Sequence, residues 1–161
     1  MMISCTFAGH REVYGGGVEG RVLSVLEKLL EEDEAFCFYV GGMGEFDAMG
    51  ARAVRQLKQH YPEKKIQIYL VLPYMKQSVN ENKRLETLYD EIIIPMELEG
   101  CHYKSAIKKR NHWIVDRCSQ MICFIQRDFG GAYETYQYAK RKGLIIVNVA
   151  GKDTAVEDKK S

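Results

Sequence analysis

Six short apolar runs separated by helical patterns constrain the fold of this chain more than anything else in it. The runs lie at about 3–8 (ISCTFA), 36–40 (FCFYV), 66–72 (IQIYLVL), 91–94 (EIII), 121–126 (MICFIQ) and 144–149 (LIIVNV). Most are apolar throughout instead of alternating, which suits strands covered on both faces. Between them, Val22, Val25, Leu26, Leu29 and Leu30 fall at helical spacing within 18–32, and Phe46, Met49, Ala53, Val54 and Leu57 within 46–60. Residues 103–118 and 132–142 carry two more helical patterns. Strand alternating with helix predicts an α/β fold, a Rossmann-like three-layer sandwich with a mainly parallel, doubly wound sheet.

A length of 161 residues accommodates one domain with a real core, expected to span 1–150, followed by a charged tail at 151–161 expected to be disordered. The 23 basic and 22 acidic side chains leave a net charge of +1. That balance gives no global pull toward nucleic acid or membrane, so neither is expected as a partner. No apolar stretch approaches the roughly 20 residues of a membrane span, and MMISCTFAGHREV lacks the shape of a secretory signal. Five cysteines without a CxxC pair suggest reduced thiols and a cytoplasmic protein. Cys37 and Cys123, inside apolar runs, read as buried packing residues. The polar segment 75–90 follows Pro73 and Tyr74 at the end of a run and reads as a lid or wall, with Leu85, Leu88 and Tyr89 as anchors for a short helix.

Candidate function concentrates where runs end in glycine. In an open α/β sheet, ligands bind outside the carboxyl ends of the strands, and a glycine there lets backbone approach a phosphate. Gly41, Gly42 and Gly44 follow the second run, and Gly130 and Gly131 follow the fifth; both clusters lead straight into a helical pattern. Free N–H groups at such helix starts hold anions, although a tight turn without a ligand needs the same glycines. Asp47 contacts a ligand or caps its own helix. After the first run come Gly9, His10 and Arg11; Arg11 suits a bidentate phosphate contact, and His10 suits a binding or structural role. Gly15, Gly16 and Gly17 form flexible backbone near the ligand or a loose loop. Arg110 and Asn111 stand in a helix rich in Lys104, Lys108 and Lys109, a pattern also shared by solvated basic faces. Trp113 reads as core or subunit contact. His102 and His112 form no ligand pattern, so no metal is expected.

Taken together, Gly-His-Arg after the first run, GGMGEFDAMG in the middle and KKRNHWIVDRCSQMICF followed by GGAYETYQYAKRKG resemble the SLOG superfamily. That Rossmann-like group includes the DNA-processing protein DprA and the Lonely Guy (LOG) phosphoribohydrolases; the chain is most similar to its YpsA-like branch. The likeness runs from about Ile3 to Val149. It implies a nucleotide pocket at the carboxyl edge of the sheet and a possible homodimer. LOG enzymes cleave the N-glycosidic bond of a nucleoside 5′-monophosphate, with an arginine on the helix before a PGGxGTxxE turn. Arg110 stands at that arginine's place, and Gly130 and Gly131 match the double glycine. Phe129 replaces the proline, Tyr133 the third glycine, Glu134 the threonine and Gln137 the glutamate. Glycoside cleavage needs a carboxylate near an oxocarbenium-like centre, which glutamine cannot supply.

The expected function is therefore binding or sensing of a nucleotide-derived, phosphate-bearing molecule such as a nucleoside monophosphate or an ADP-ribose-like compound, without a further cofactor. Its expected contacts are Gly9, His10, Arg11, Gly41, Gly42, Gly44, Asp47, Pro73, Arg110, Asn111, Gly130, Gly131 and Glu134. A LOG-like hydrolase using Glu134 and Arg110 is the enzymatic alternative. A protein- or single-stranded-DNA-binding adaptor with a vestigial pocket is the other.

Overall fold

In a computed structural model, residues 2–75 and 84–151 are described. The tail beyond residue 151 and the centre of the lid segment, 76–83, lie outside them. Each apolar run becomes a strand: β1 (Met2–Gly9), β2 (Ala35–Val40), β3 (Lys65–Val71), β4 (Glu91–Ile93), β5 (Gln120–Phe124) and β6 (Ile145–Asn148). The helices are α1 (Val18–Leu30), α2 (Glu45–His60), α3 (Arg84–Leu88), α4 (Tyr103–Asp116) and α5 (Gly131–Arg141), with a 3-10 turn at Met96–Leu98. Short α3 is the helix expected within the polar segment, and Leu85 and Tyr89 pack it on the core. No helix among the described residues is long and apolar enough to cross a membrane.

All pairings are parallel, in the order β4-β3-β2-β1-β5-β6. Parallel strands cannot be joined by tight hairpins, so each connection crosses a face of the sheet and leaves a helix there. On one face α1 and α2 bury Val22, Leu26, Val54 and Leu57 against Phe36, Phe38 and Ile68. On the other, Val115 of α4 and Ala139 of α5 pack on Ala8, Met121 and Cys123. This double cover explains the uninterrupted apolar character of the central runs. Cys37 and Cys123 are buried, as their placement suggested, and all five cysteines are free thiols.

The chain builds outward from β1 through β2 and β3 to β4, then returns to β1's other side with β5 and β6. The strand order thus reverses between β1 and β5. At such a reversal the loops leaving the two strands diverge and open a crevice at their carboxyl ends.

Candidate functional site

A cavity of about 340 Å³ occupies that crevice. The end of β1 contributes Gly9, His10 and Arg11, and the start of α2 contributes Met43 and Asp47. From α4 come Ile107, Arg110 and Asn111; the loop after β5 and the start of α5 give Arg127, Gly130, Gly131, Ala132 and Thr135. Eight of the residues named from sequence are brought together here. Gly41 borders a smaller adjoining hollow with Asp47 and Asn111. Gly42, Gly44, Pro73 and Glu134 are not among the lining residues of the main cavity. Glu134 is exposed on α5, whose cavity side is formed by Gly131, Ala132 and Thr135.

Arg110 differs most from a solvated helix face. It is only 3% exposed. Its Nη1 donates to the carbonyls of Gly41 at 3.0 Å and Val71 at 2.9 Å, and its Nε donates to Asn111 Oδ1 at 2.8 Å. One guanidinium thus satisfies the carboxyl ends of β2 and β3, whose carbonyls would otherwise be orphaned in the interior. Nη2 faces Met43 Sδ at 3.6 Å, a weak acceptor. Burial lowers the Arg110 pKa, against the pull of the Asp47 and Tyr74 charges.

Asp47 lies in the first turn of α2. Its Oδ2 reaches back to accept from the Met43 N–H at 3.4 Å. Burial pushes its carboxyl up to about 6, opposed by Arg110 and by the N–H groups of Met43 and Gly41. A Cβ on Gly41 would stand 3.1 Å from the Arg110 guanidinium carbon and 3.2 Å from Asp47 Oδ2. A side chain there would press on both charged groups that close over the backbone.

His10 is 5% exposed, and its Nε2 accepts from the Gln126 N–H at 3.0 Å. That bond places the ring proton on Nδ1, and burial together with the Arg127 charge lowers the pKa. His10 therefore holds the loop after β5 against the end of β1. The same loop is fixed from β6, where Asn148 Oδ1 accepts from the Ile125 N–H at 3.1 Å and Nδ2 donates to the Ile125 carbonyl at 3.0 Å. Two clamps on consecutive residues set the position of Arg127, whose exposed guanidinium lies 5.0 Å from the Phe129 ring centre. Sequence reasoning missed Arg127; the usable signal was a cation directly after the fifth apolar run. It also missed Thr135, whose hydroxyl donates to the Gly131 carbonyl at 2.9 Å.

The N-terminus of α5 faces the cavity. Its cap is Gly130, with φ of 96° and no side-chain capping bond. The N–H groups of Gly131 and Ala132 have no partner among the described residues. With Arg11 and Arg127 at the rim, the mouth is cationic, and open amides there are a ready anion site. Among the described residues no group of three or more His, Cys, Asp or Glu side chains is placed to hold a metal ion.

A six-stranded parallel sheet with helices on both faces and a cavity at its switch point defines a Rossmann-like protein of the SLOG superfamily. Within it the chain belongs to the YpsA family (YspA SLOG family), whose model matches residues 18–144. The fold is similar to DNA processing protein A (DprA) from Streptococcus pneumoniae, with a TM-score of 0.68 at 16% identity over 94% of this chain and 51% of that one. It is also similar to DprA from Helicobacter pylori, a structure described for its single-stranded DNA binding mode (TM-score 0.63, 12% identity, 89% of this chain and 63% of that one). TM1055, a structural genomics target, matches with a TM-score of 0.57 at 11% identity over 90% and 72% of the two chains. This chain thus spans between half and two thirds of the two DprA chains. No curated protein sequence matches it.

Proposed function

We propose that the cavity binds a nucleotide-derived small molecule through its phosphate. The observation that carries this reading is the open start of α5 facing the cavity, with Arg11 and Arg127 at its rim. Helix amides and arginine together favour a compact, multiply charged anion. The phosphate belongs at Gly130, Gly131 and Ala132 rather than at the turn after β2, where Asp47 already takes up backbone donors. The hydrolase using Glu134 has less support, because Glu134 is exposed away from the lining and Asp47 is the acidic side chain that lines the cavity.

Thermal unfolding against AMP, GMP, CMP, UMP, ribose 5-phosphate, NAD and ADP-ribose tests the reading. A ligand at 100 times its Kd stabilises the fold by about 2.7 kcal/mol, a shift of several degrees for a domain of this size. A phosphate-dependent shift is expected; no shift with any of these compounds overturns the reading.

A second reading, binding of single-stranded DNA, draws support from the likeness to the Helicobacter pylori protein. A near-neutral net charge is a weaker argument against nucleic acid than the sequence alone suggested, since Arg11 and Arg127 are gathered at one edge. Oligonucleotide affinity that falls steeply with salt would favour this reading over the first.

A further inference from the structure

The charged groups of the cavity divide into a floor and a mouth. At the floor, Arg110 and Asp47 both lie within 3.2 Å of the point where a Gly41 Cβ would stand. Arg110 spends Nη1 and Nε inside the wall, which leaves Nη2 against a thioether. The floor therefore offers an N–H donor beside a carboxylate acceptor. A hydroxyl both donates and accepts, so two neighbouring hydroxyls match such a pair. The mouth, by contrast, offers only positive charge and open amides, which suit a phosphomonoester.

Little remains to read a base. Two aromatic rings line the cavity among the described residues, and both are buried: Phe7 packs on the Phe38 and Phe46 rings at 6.2 and 6.3 Å, and His10 lies edge-on to Phe124 at 6.3 Å. Asn111 gives its Oδ1 to Arg110, and Thr135 gives its hydroxyl proton to the Gly131 carbonyl. Sites that discriminate bases present a free stacking surface and paired donors and acceptors. Among the described residues Asn111 Nδ2 is a donor without a paired acceptor, no free aromatic ring faces the cavity, and the exposed guanidinium planes of Arg11 and Arg127 would stack on any base alike.

Building on the phosphate reading above, we infer that this site selects the pentose 5-phosphate portion of its ligand and is nearly indifferent to the base. The vicinal diol lies on Asp47 and Arg110 Nη2, the phosphate lies at the start of α5 between Arg11 and Arg127, and the base points out of the cavity. Base-free ribose 5-phosphate is then a full ligand.

Calorimetric titration of the full chain with ribose 5-phosphate, AMP, GMP, CMP, UMP, adenosine and 2′,3′-dideoxyadenosine monophosphate tests this. Ribose 5-phosphate and the four monophosphates should bind within about fivefold of one another, with adenosine too weak to measure. The dideoxy compound should bind at least tenfold more weakly than AMP, and Asp47→Asn should reduce that difference below threefold. A monophosphate binding a hundredfold tighter than ribose 5-phosphate, or a dideoxy compound equal to AMP, overturns the inference while leaving the phosphate reading intact. Absence of binding by every phosphate compound overturns both.

Discussion

The two glycine turns that look alike in sequence differ in what fills them. After β2, a Cβ on Gly41 would meet Arg110 and Asp47, and one on Gly42 would come within 2.7 Å of Leu70 Cδ1. There the first amide of α2 is taken by the Arg11 carbonyl at 2.9 Å. Before α5, a Cβ on Gly130 or Gly131 would find nothing within 4 Å. The first turn is crowded by the protein's own groups; the second, where the φ of Gly130 also calls for glycine, opens on free space. A glycine-rich strand-to-helix turn therefore marks the edge where ligands bind, but only the unfilled one leaves its helix amides open to a phosphate.

The largest effects should come from the filled turn. Arg110→Met strips the carbonyls of Gly41 and Val71 of their donor inside the protein. A buried acceptor left unpaired costs roughly 1 to 3 kcal/mol, so urea unfolding should show a loss of about 3 kcal/mol. A variant as stable as the parent would break the contrast, since Arg110 would then be free to act as a ligand contact alone.

Asp47 sharpens the comparison through pH. Its carboxyl rises from an ordinary 3.8 to about 6 in the folded protein, so the folded state holds the proton more tightly than the unfolded chain. The stability from this group is fully present below pH 3.8 and is lost as pH rises through 6. Allowing for partial exposure, the loss is on the order of 2 kcal/mol. Asp47→Asn should flatten that slope and raise stability at pH 7 by about 1 kcal/mol, with denaturant midpoints across pH 4 to 7 as the readout. An unchanged slope would mean that the carboxylate is not held in a poorly solvated place.

Gly131→Ala should give the smallest change in stability and a clear change in binding. Alanine is a better helix former than glycine, and the methyl meets no atom of the protein, so stability should shift by less than about 0.5 kcal/mol. The same methyl projects beside the open amides, and affinity for ribose 5-phosphate should fall about tenfold. Lost stability with intact binding would reverse the roles assigned to the two turns.

The fold was legible because burial on both faces leaves a local mark. Runs such as FCFYV and MICFI need no partner in view to be read as inner strands, and strand ends fall within a few residues of the sequence reading. The site was only half legible. Its location followed from Gly9, Gly130 and Gly131, but side-chain roles depend on contacts between distant segments. Arg110 lies among lysines and reads as surface; its burial follows from carbonyls 39 and 69 residues away. Glu134 reads as a replacement carboxylate by helical spacing, but the roll of α5 presents Thr135 to the cavity instead. Arg127 owes its position to clamps from His10 and Asn148, more than 20 residues from it in either direction.

The most direct test of the contrast between the turns is a backbone amide NMR titration with ribose 5-phosphate. The largest saturable shifts are expected at Gly131 and Ala132, with smaller ones at Glu45 and Phe46 beside Asp47. Shifts concentrated at the start of α2, with α5 silent, would contradict it.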